Sequence, residues 1–116
     1  MKNKINVAVL GSTGYTGLEL VLLLSKHPKV KIKFLGSNSN VGKNINTFDQ
    51  RLKKIVLPKL DKFTNLNYSS VDVVFLSLPH KLSQKIVCKN FGKTVFIDLS
   101  ADFRIKNKNT YKKNYK

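Results

Sequence analysis

The segment VAVLGSTGYTGLELVLLL, Val7 to Leu24, sets three glycines, Gly11, Gly14 and Gly17, between an apolar strand-like run and an apolar helix-like run. The run before them, INVAVL from Ile5 to Leu10, has β-branched residues and no polar alternation, as in a strand buried on both faces of a parallel sheet. The run after them, TGLELVLLLSKHP, is rich in helix formers, apolar on nearly every side from Leu18 to Leu24, and stopped by Pro28, which reads as a buried helix. A strand that passes into a helix through a glycine turn gathers backbone N–H groups and the positive end of the helix at one point. A phosphate or pyrophosphate suits that point. The spacing is G-x-x-G-x-x-G, with Ser12 where the commoner G-x-G-x-x-G would have its first glycine. A glycine turn can serve packing alone, but a flanking strand and helix favour a dinucleotide. The Lys-Ser/Thr pair of a P-loop is absent.

Further along, VKIKFLG (Val30 to Gly36) reads as a second strand, followed by the polar loop SNSNVGKNIN. Thr47 to Asn67 carries a poor signal: TFDQRLKKI suits a short helix, Pro58 limits any element after it, and the stretch reads as a variable connection. VDVVFLSLP (Val71 to Pro79) reads as a third buried strand. LSQKIVCKNFGK comes next, with Leu82, Ile86, Val87 and Phe91 at helical spacing and Gly92 as a stop, and TVFIDLS is a fourth strand. This order predicts an α/β, Rossmann-type, doubly wound and mainly parallel sheet with helices on both faces, a single NAD(P)-binding domain over residues 1–116.

Ligands of such sheets bind beyond the C-terminal ends of the strands. That rule selects Gly11 to Gly17 (with Ser12, Thr13, Tyr15 and Thr16), Gly36 to Asn40, Leu78 to His80, and Leu99 to Asp102. After the second strand, where an acid normally accepts the ribose hydroxyls of NAD, the sequence is GSNSN, and no carboxylate occurs between Glu19 and Asp49. Ser37, Asn38, Ser39 and Lys43 offer donors that suit a 2′-phosphate, so the expected cofactor is NADP.

The net charge of +16, from 22 basic and 6 acidic residues, raises the question of a nucleic-acid partner. Only Arg51 and Arg104 are arginine, the side chain best fitted to planar phosphate and base recognition, and the lysines are spread along the chain. A solvated surface accounts for them, and no specific nucleic acid is expected. Cys88 is the single cysteine, so no intrachain disulfide can form; its mid-helix place suits a small buried structural thiol. His27, in the last helical turn, has a structural reading, favoured there by the helix dipole. No metal site is expected. Without a signal-peptide pattern or an apolar stretch near the ~20 residues of a membrane span, the expected setting is cytoplasmic, with no membrane partner.

Together, VLGSTGYTGLEL, LSKHP, VDVVFLSLPH and IDLSADFR closely resemble the N-terminal part of the N-acetyl-gamma-glutamyl-phosphate reductases, arginine-biosynthesis enzymes of the semialdehyde dehydrogenase superfamily. The resemblance covers essentially all of the chain. GSTGYTG alone would also fit an aspartate-semialdehyde dehydrogenase; LPH with DLSADFR narrows it to the acetylglutamyl enzymes and their lysine-pathway relatives acting on an aminoadipyl phosphate. It implies a reductive dephosphorylation in which a cysteine thiolate displaces phosphate from N-acetylglutamyl phosphate, NADPH delivers hydride to the thioester, and the semialdehyde leaves, with a histidine as acid and base. It also implies that Leu78, Pro79 and His80 lie near the nicotinamide ribose, that Ser100 approaches cofactor or substrate, and that Arg104 helps close the site. Asn38 stands where relatives often carry arginine, with Lys43 a substitute.

The family's catalytic cysteine lies in a GCYPT-like motif beyond DLSADFR and its histidine further on, and neither motif is present. The chain is therefore expected to hold no catalytic residue, to bind NADPH, and to meet N-acetylglutamyl phosphate only with a separate substrate domain; the full-length enzyme is open to homo-oligomer formation. Two other readings stand beside this one: a nonenzymatic nucleotide-binding module or remnant, and a basic nucleic-acid-binding domain.

Overall fold

A computed structural model of the chain describes residues 4–90, 92 and 94–99. INVAVL forms β1 (Ile5–Leu10). Its side chains alternate between the two faces of a sheet: Val7 and Val9 enter one apolar cluster with Val21, Ile32 and Leu35, while Ala8 and Leu10 enter another with Val74 and Leu76. A strand with a core on each side has no solvent face to write in polar residues, which explains the apolar run from Val7 to Leu10.

Around β1 lie β2 (Val30–Gly36), β3 (Leu60–Asp61), β4 (Val73–Leu76) and β5 (Val95–Asp98), in the order β3-β2-β1-β4-β5, with every neighbouring pair parallel. Helix α1 (Tyr15–Ser25) joins β1 to β2 and packs Leu18, Leu20, Leu22 and Leu24 on the first cluster. Helix α2 (His80–Lys89) joins β4 to β5 and packs Ile86 and Val87 on the second. The helices thus cover opposite faces, as expected of a doubly wound sheet. The chain moves outward from β1 through β2 and β3, then returns to start β4 on the other side of β1. The strand order reverses between β1 and β4, the place where this architecture opens a crevice.

Several local expectations change. Helix α1 is not buried all round: among its residues only Gly17 and Val21 are fully buried, and Leu23 is 66 % exposed. A helix in the outer layer of a sheet protein has one face on the sheet and one outward, whatever its composition. The third strand is shorter than Val71 to Pro79, because Ser77 to Pro79 turn away to start α2, with Pro79 at its N-cap. On α2 the inward line is Ser83, Ile86 and Val87; Leu82 lies on the flank, 37 % exposed. Phe91 lies outside the described residues. TFDQRLKKI makes no α-helix but one 3-10 turn, Gln50–Leu52, just after another at Ile45–Thr47, and the two sink Leu52 and Ile45 into the first cluster. The two-residue strand β3 sits inside the stretch expected to be a variable connection.

Candidate functional site

The glycine loop is laced to the end of β2 by one carbonyl. Gly36 O accepts from Gly11 N at 3.0 Å, from Ser12 N at 3.1 Å and from the Ser12 hydroxyl at 3.1 Å. Ser12 is fully buried, so its side chain anchors the turn from within. The three glycines then differ in what a side chain would meet. At Gly11, with φ +87°, an added Cβ would lie 2.2 Å from Ser77 O, against the chain leaving β4. At Gly17 it would lie 2.2 Å from Gly11 O, so this glycine lets α1 press against the loop. At Gly14 it would find only Gly11 O at 3.6 Å, an ordinary contact. Gly14 is exposed, with φ −73° and ψ 167°, angles open to any residue. Neither packing nor backbone requires a glycine there. The space beside its backbone is open to a ligand.

Gly14 is also the N-cap of α1, without a side-chain cap and with no acidic residue in the first turn. The first N–H groups of a helix have no intrahelical acceptor, so this end is ready for an anion. The N-terminus of α2, capped by Pro79 without a side-chain bond and likewise free of acid in its first turn, starts at the same edge of the sheet beside β1. Leu78 is buried, its Cδ2 2.8 Å from where a Gly11 Cβ would stand, so the β1 and β4 loops are packed together. Pro79 and His80 are exposed, as are Tyr15, at 85 %, and more shallowly Thr13 and Thr16.

After β2 the polar residues form a chain. Thr13 Oγ1 and Ser37 Oγ are 3.4 Å apart, Asn40 Nδ2 donates to Ser37 Oγ at 3.5 Å and to Ser39 Oγ at 3.3 Å, and Lys43 Nζ donates to Asn40 Oδ1 at 3.5 Å. Asn40, at the centre of this network, lies within the Gly36 to Asn40 stretch selected by the strand-end rule but is not among the donors Ser37, Asn38, Ser39 and Lys43. Asn38 is turned to another task, its Oδ1 accepting from Phe63 N at 2.9 Å. Ser37 N donates to Asp61 O at 2.8 Å. Asp61 brings a carboxylate to the edge, in register with Gly36, but one of its oxygens is engaged by Lys62 N at 2.8 Å and Asn65 Nδ2 at 2.7 Å. It lies in the stretch without a sequence signal, and only the pairing of β2 with β3 reveals it.

Cys88 is not the buried thiol that its helical place suggests. It is exposed on α2 and lines a groove shared with Phe63, Leu66 and Tyr68. His27 lies just beyond α1, where its Nδ1 accepts from Lys29 N at 3.0 Å and shapes the turn into β2. Ser100, Asp102 and Arg104 lie outside the described residues. Among the described residues no group of three or more His, Cys, Asp or Glu could hold a metal ion, and no helix is long and apolar enough to cross a membrane.

Residues 6–112 match the model of the semialdehyde dehydrogenase NAD binding domain. An N-acetyl-gamma-glutamyl-phosphate reductase of Ehrlichia ruminantium is 45 % identical over 117 residues, 99 % of this chain and 34 % of the relative. One of Brachyspira hyodysenteriae is 50 % identical over 112 residues, 96 % of this chain and 32 % of the relative. Among solved structures, aspartate semialdehyde dehydrogenase with NADP from Candida albicans superposes with a TM-score of 0.68 at 26 % identity, covering 89 % of this chain and 31 % of that one. The chain spans about a third of the length of these relatives. Sequence match and fold agree over nearly the same residues, and the chain belongs to the family of semialdehyde dehydrogenase NAD-binding domains.

Proposed function

We propose that the chain is the NADP-binding part of an N-acetyl-gamma-glutamyl-phosphate reductase. The observation that carries this reading is Gly14, a glycine that the fold does not need, placed at an uncapped helix start where the strand order reverses. A Cβ there would occupy the space through which a pyrophosphate reaches the backbone. The residues fit the cofactor. The N-terminus of α1 would hold the pyrophosphate, each charge-assisted hydrogen bond from a backbone N–H contributing roughly 1.5–3 kcal/mol. Ser37, Ser39, Asn40 and Lys43 would hold a 2′-phosphate, with Lys43 supplying the cation and Asn40 steering it. Pro79 and His80, at the exposed start of α2, would border the nicotinamide end. When bound, the dinucleotide supplies the hydride.

The residues of this chain bind and orient; they provide no nucleophile. Cys88 lies about two turns along α2 from its start at the strand ends, and a thioester needs a thiolate at the reacting carbonyl. The substrate N-acetylglutamyl phosphate, named in the relatives, would be met by the part of the enzyme outside this third.

The test is complementation. Residues 1–116 are mixed with the separately produced remainder of the Brachyspira hyodysenteriae relative, and phosphate-dependent oxidation of N-acetylglutamate semialdehyde with NADP is followed. The chain alone should give no turnover and the mixture should turn over. Turnover by the chain alone would contradict the reading.

A further inference from the structure

The loop after β2 is folded around the end of β3. On one side of that short strand Ser37 N donates to Asp61 O at 2.8 Å; on the other, Leu60 N donates to Lys43 O at 2.9 Å and Gly42 N to Leu60 O at 2.7 Å. Just past the strand, Asn38 Oδ1 accepts from Phe63 N at 2.9 Å. Residues 37–43, to which the 2′-phosphate is assigned above, therefore bracket Leu60 and Asp61. Leu60 is buried in the α1-side cluster, so Asp61, the next residue of the strand, turns its side chain to the other face, in register with Gly36.

The chain has 6 acidic residues against 22 basic ones. Glu19 and Asp49 are paired with Arg51, and Asp72, just before β4, accepts from Asn6 N at 2.9 Å at the opposite edge of the sheet. Asp61 forms no ion pair among the described residues. Its Oδ1 accepts from two neutral donors, Lys62 N at 2.8 Å and Asn65 Nδ2 at 2.7 Å, which fixes the plane of the carboxylate and leaves Oδ2 as a further acceptor. A carboxylate held in this way acts oppositely on two ligands that differ only by a phosphate. It repels the negative 2′-phosphate, and it accepts a hydrogen bond from a free 2′-hydroxyl, the task that an acid at the end of the second strand performs in NAD-binding sheets. The sequence puts no acid directly after β2; the neighbouring strand delivers one.

We propose that Asp61 is the residue that limits this chain's preference for NADPH: its carboxylate, held between the Ser37 and Lys43 ends of the loop, opposes the 2′-phosphate and accepts from the ribose 2′-hydroxyl of NADH. This rests on the functional reading above and deepens it. Lys43 draws the phosphate in and Asp61 resists it, so NADPH is favoured by less than the donors of the loop alone would give, and NADH remains a ligand.

The test is calorimetric titration of NADPH and NADH into residues 1–116, as wild type and as Asp61→Asn, which keeps an acceptor for Lys62 N and Asn65 Nδ2 and removes the charge. The variant should bind NADPH about fivefold tighter and NADH about threefold weaker, the opposed changes expected when one partly screened charge is removed. A merely structural role for Asp61 would weaken both together. Asp72→Asn removes the same charge at the opposite edge of the sheet and should leave the ratio of the two affinities within about twofold of wild type. If Asp61→Asn fails to fold by circular dichroism, Asp61→Ser, whose hydroxyl can still accept from Lys62 N, is titrated in its place with the same expectation. A folded Asp61 variant whose ratio stays within about twofold of wild type, or in which both affinities fall together, would overturn the proposal and leave the functional reading standing. A folded wild-type chain that binds neither nucleotide would remove both.

Discussion

Adding one methyl group at each glycine of the loop separates packing from binding. Gly11→Ala meets both a left-handed backbone and Ser77 O, and Gly17→Ala meets Gly11 O, so each should lower stability by more than ~2 kcal/mol in denaturant unfolding. Gly14→Ala meets nothing closer than 3.6 Å, and its cost should stay within ~1 kcal/mol, the difference between glycine and alanine at an N-cap. Yet Gly14→Ala should weaken NADPH and NADH alike, because in the proposed site the pyrophosphate they share would approach there. A Gly14 variant with wild-type affinity for both would count against the placement. Lys43→Ala should act differently, reducing affinity for NADPH several-fold while leaving NADH unchanged, since in the proposed site Lys43 would face only the 2′-phosphate. Cys88→Ser should change neither affinity.

At the scale of elements, the 44–57 segment is held to α1 by an ion-paired arginine. Arg51 Nη2 lies 2.6 Å from Glu19 Oε2 and 2.7 Å from Asp49 Oδ2, and Asp49 also accepts from Arg51 N at 2.9 Å, capping the second 3-10 turn. The side-chain and backbone hydrogen bonds from Arg51 hold the Asp49 carboxyl below its ordinary value. A carboxyl with a lowered folded-state pKa contributes stability above the ordinary aspartate value and loses it as pH falls through the lowered one. Arg51→Gln should therefore reduce stability at neutral pH and flatten the acid limb of the stability profile, while below both values variant and wild type converge. An unchanged slope of stability against pH in Arg51→Gln would show that the pair contributes nothing.

The same segment shows where the sequence stops being legible. Ile5–Leu10 and Val30–Gly36 are read at their observed bounds, because a core on one or both faces imposes an apolar pattern over six or seven residues. Leu60–Asp61 spans two residues, too short for any period to register, and the 3-10 turns around it are set by single capping residues and by the sheet they lie on. Of the site, the glycine loop and the absence of an acid directly after β2 are visible in the sequence. Asn40's bridging place, Asp61's arrival beside Gly36 and the exposure of Cys88 all depend on tertiary pairing, which no local pattern encodes.

For the whole molecule, a net charge of +16 spread mainly over lysines predicts weak association with DNA that is indifferent to sequence and falls steeply with salt, through counterion release. A sequence-specific complex persisting at physiological salt would contradict that view of the surface. The proposed function instead puts binding at one edge, where α1 and α2 begin on either side of the strand-order reversal between β1 and β4. The most direct test of that claim is calorimetric titration of NADPH and NADH into residues 1–116 and into Gly14→Val, with thermal unfolding recorded on the same samples. The account predicts one site per chain, NADPH favoured by at least about tenfold, or roughly 1.4 kcal/mol, and both affinities lost together in a Gly14→Val chain that remains folded. Binding that survives in Gly14→Val, or no binding of either nucleotide to the folded wild-type chain, would contradict it.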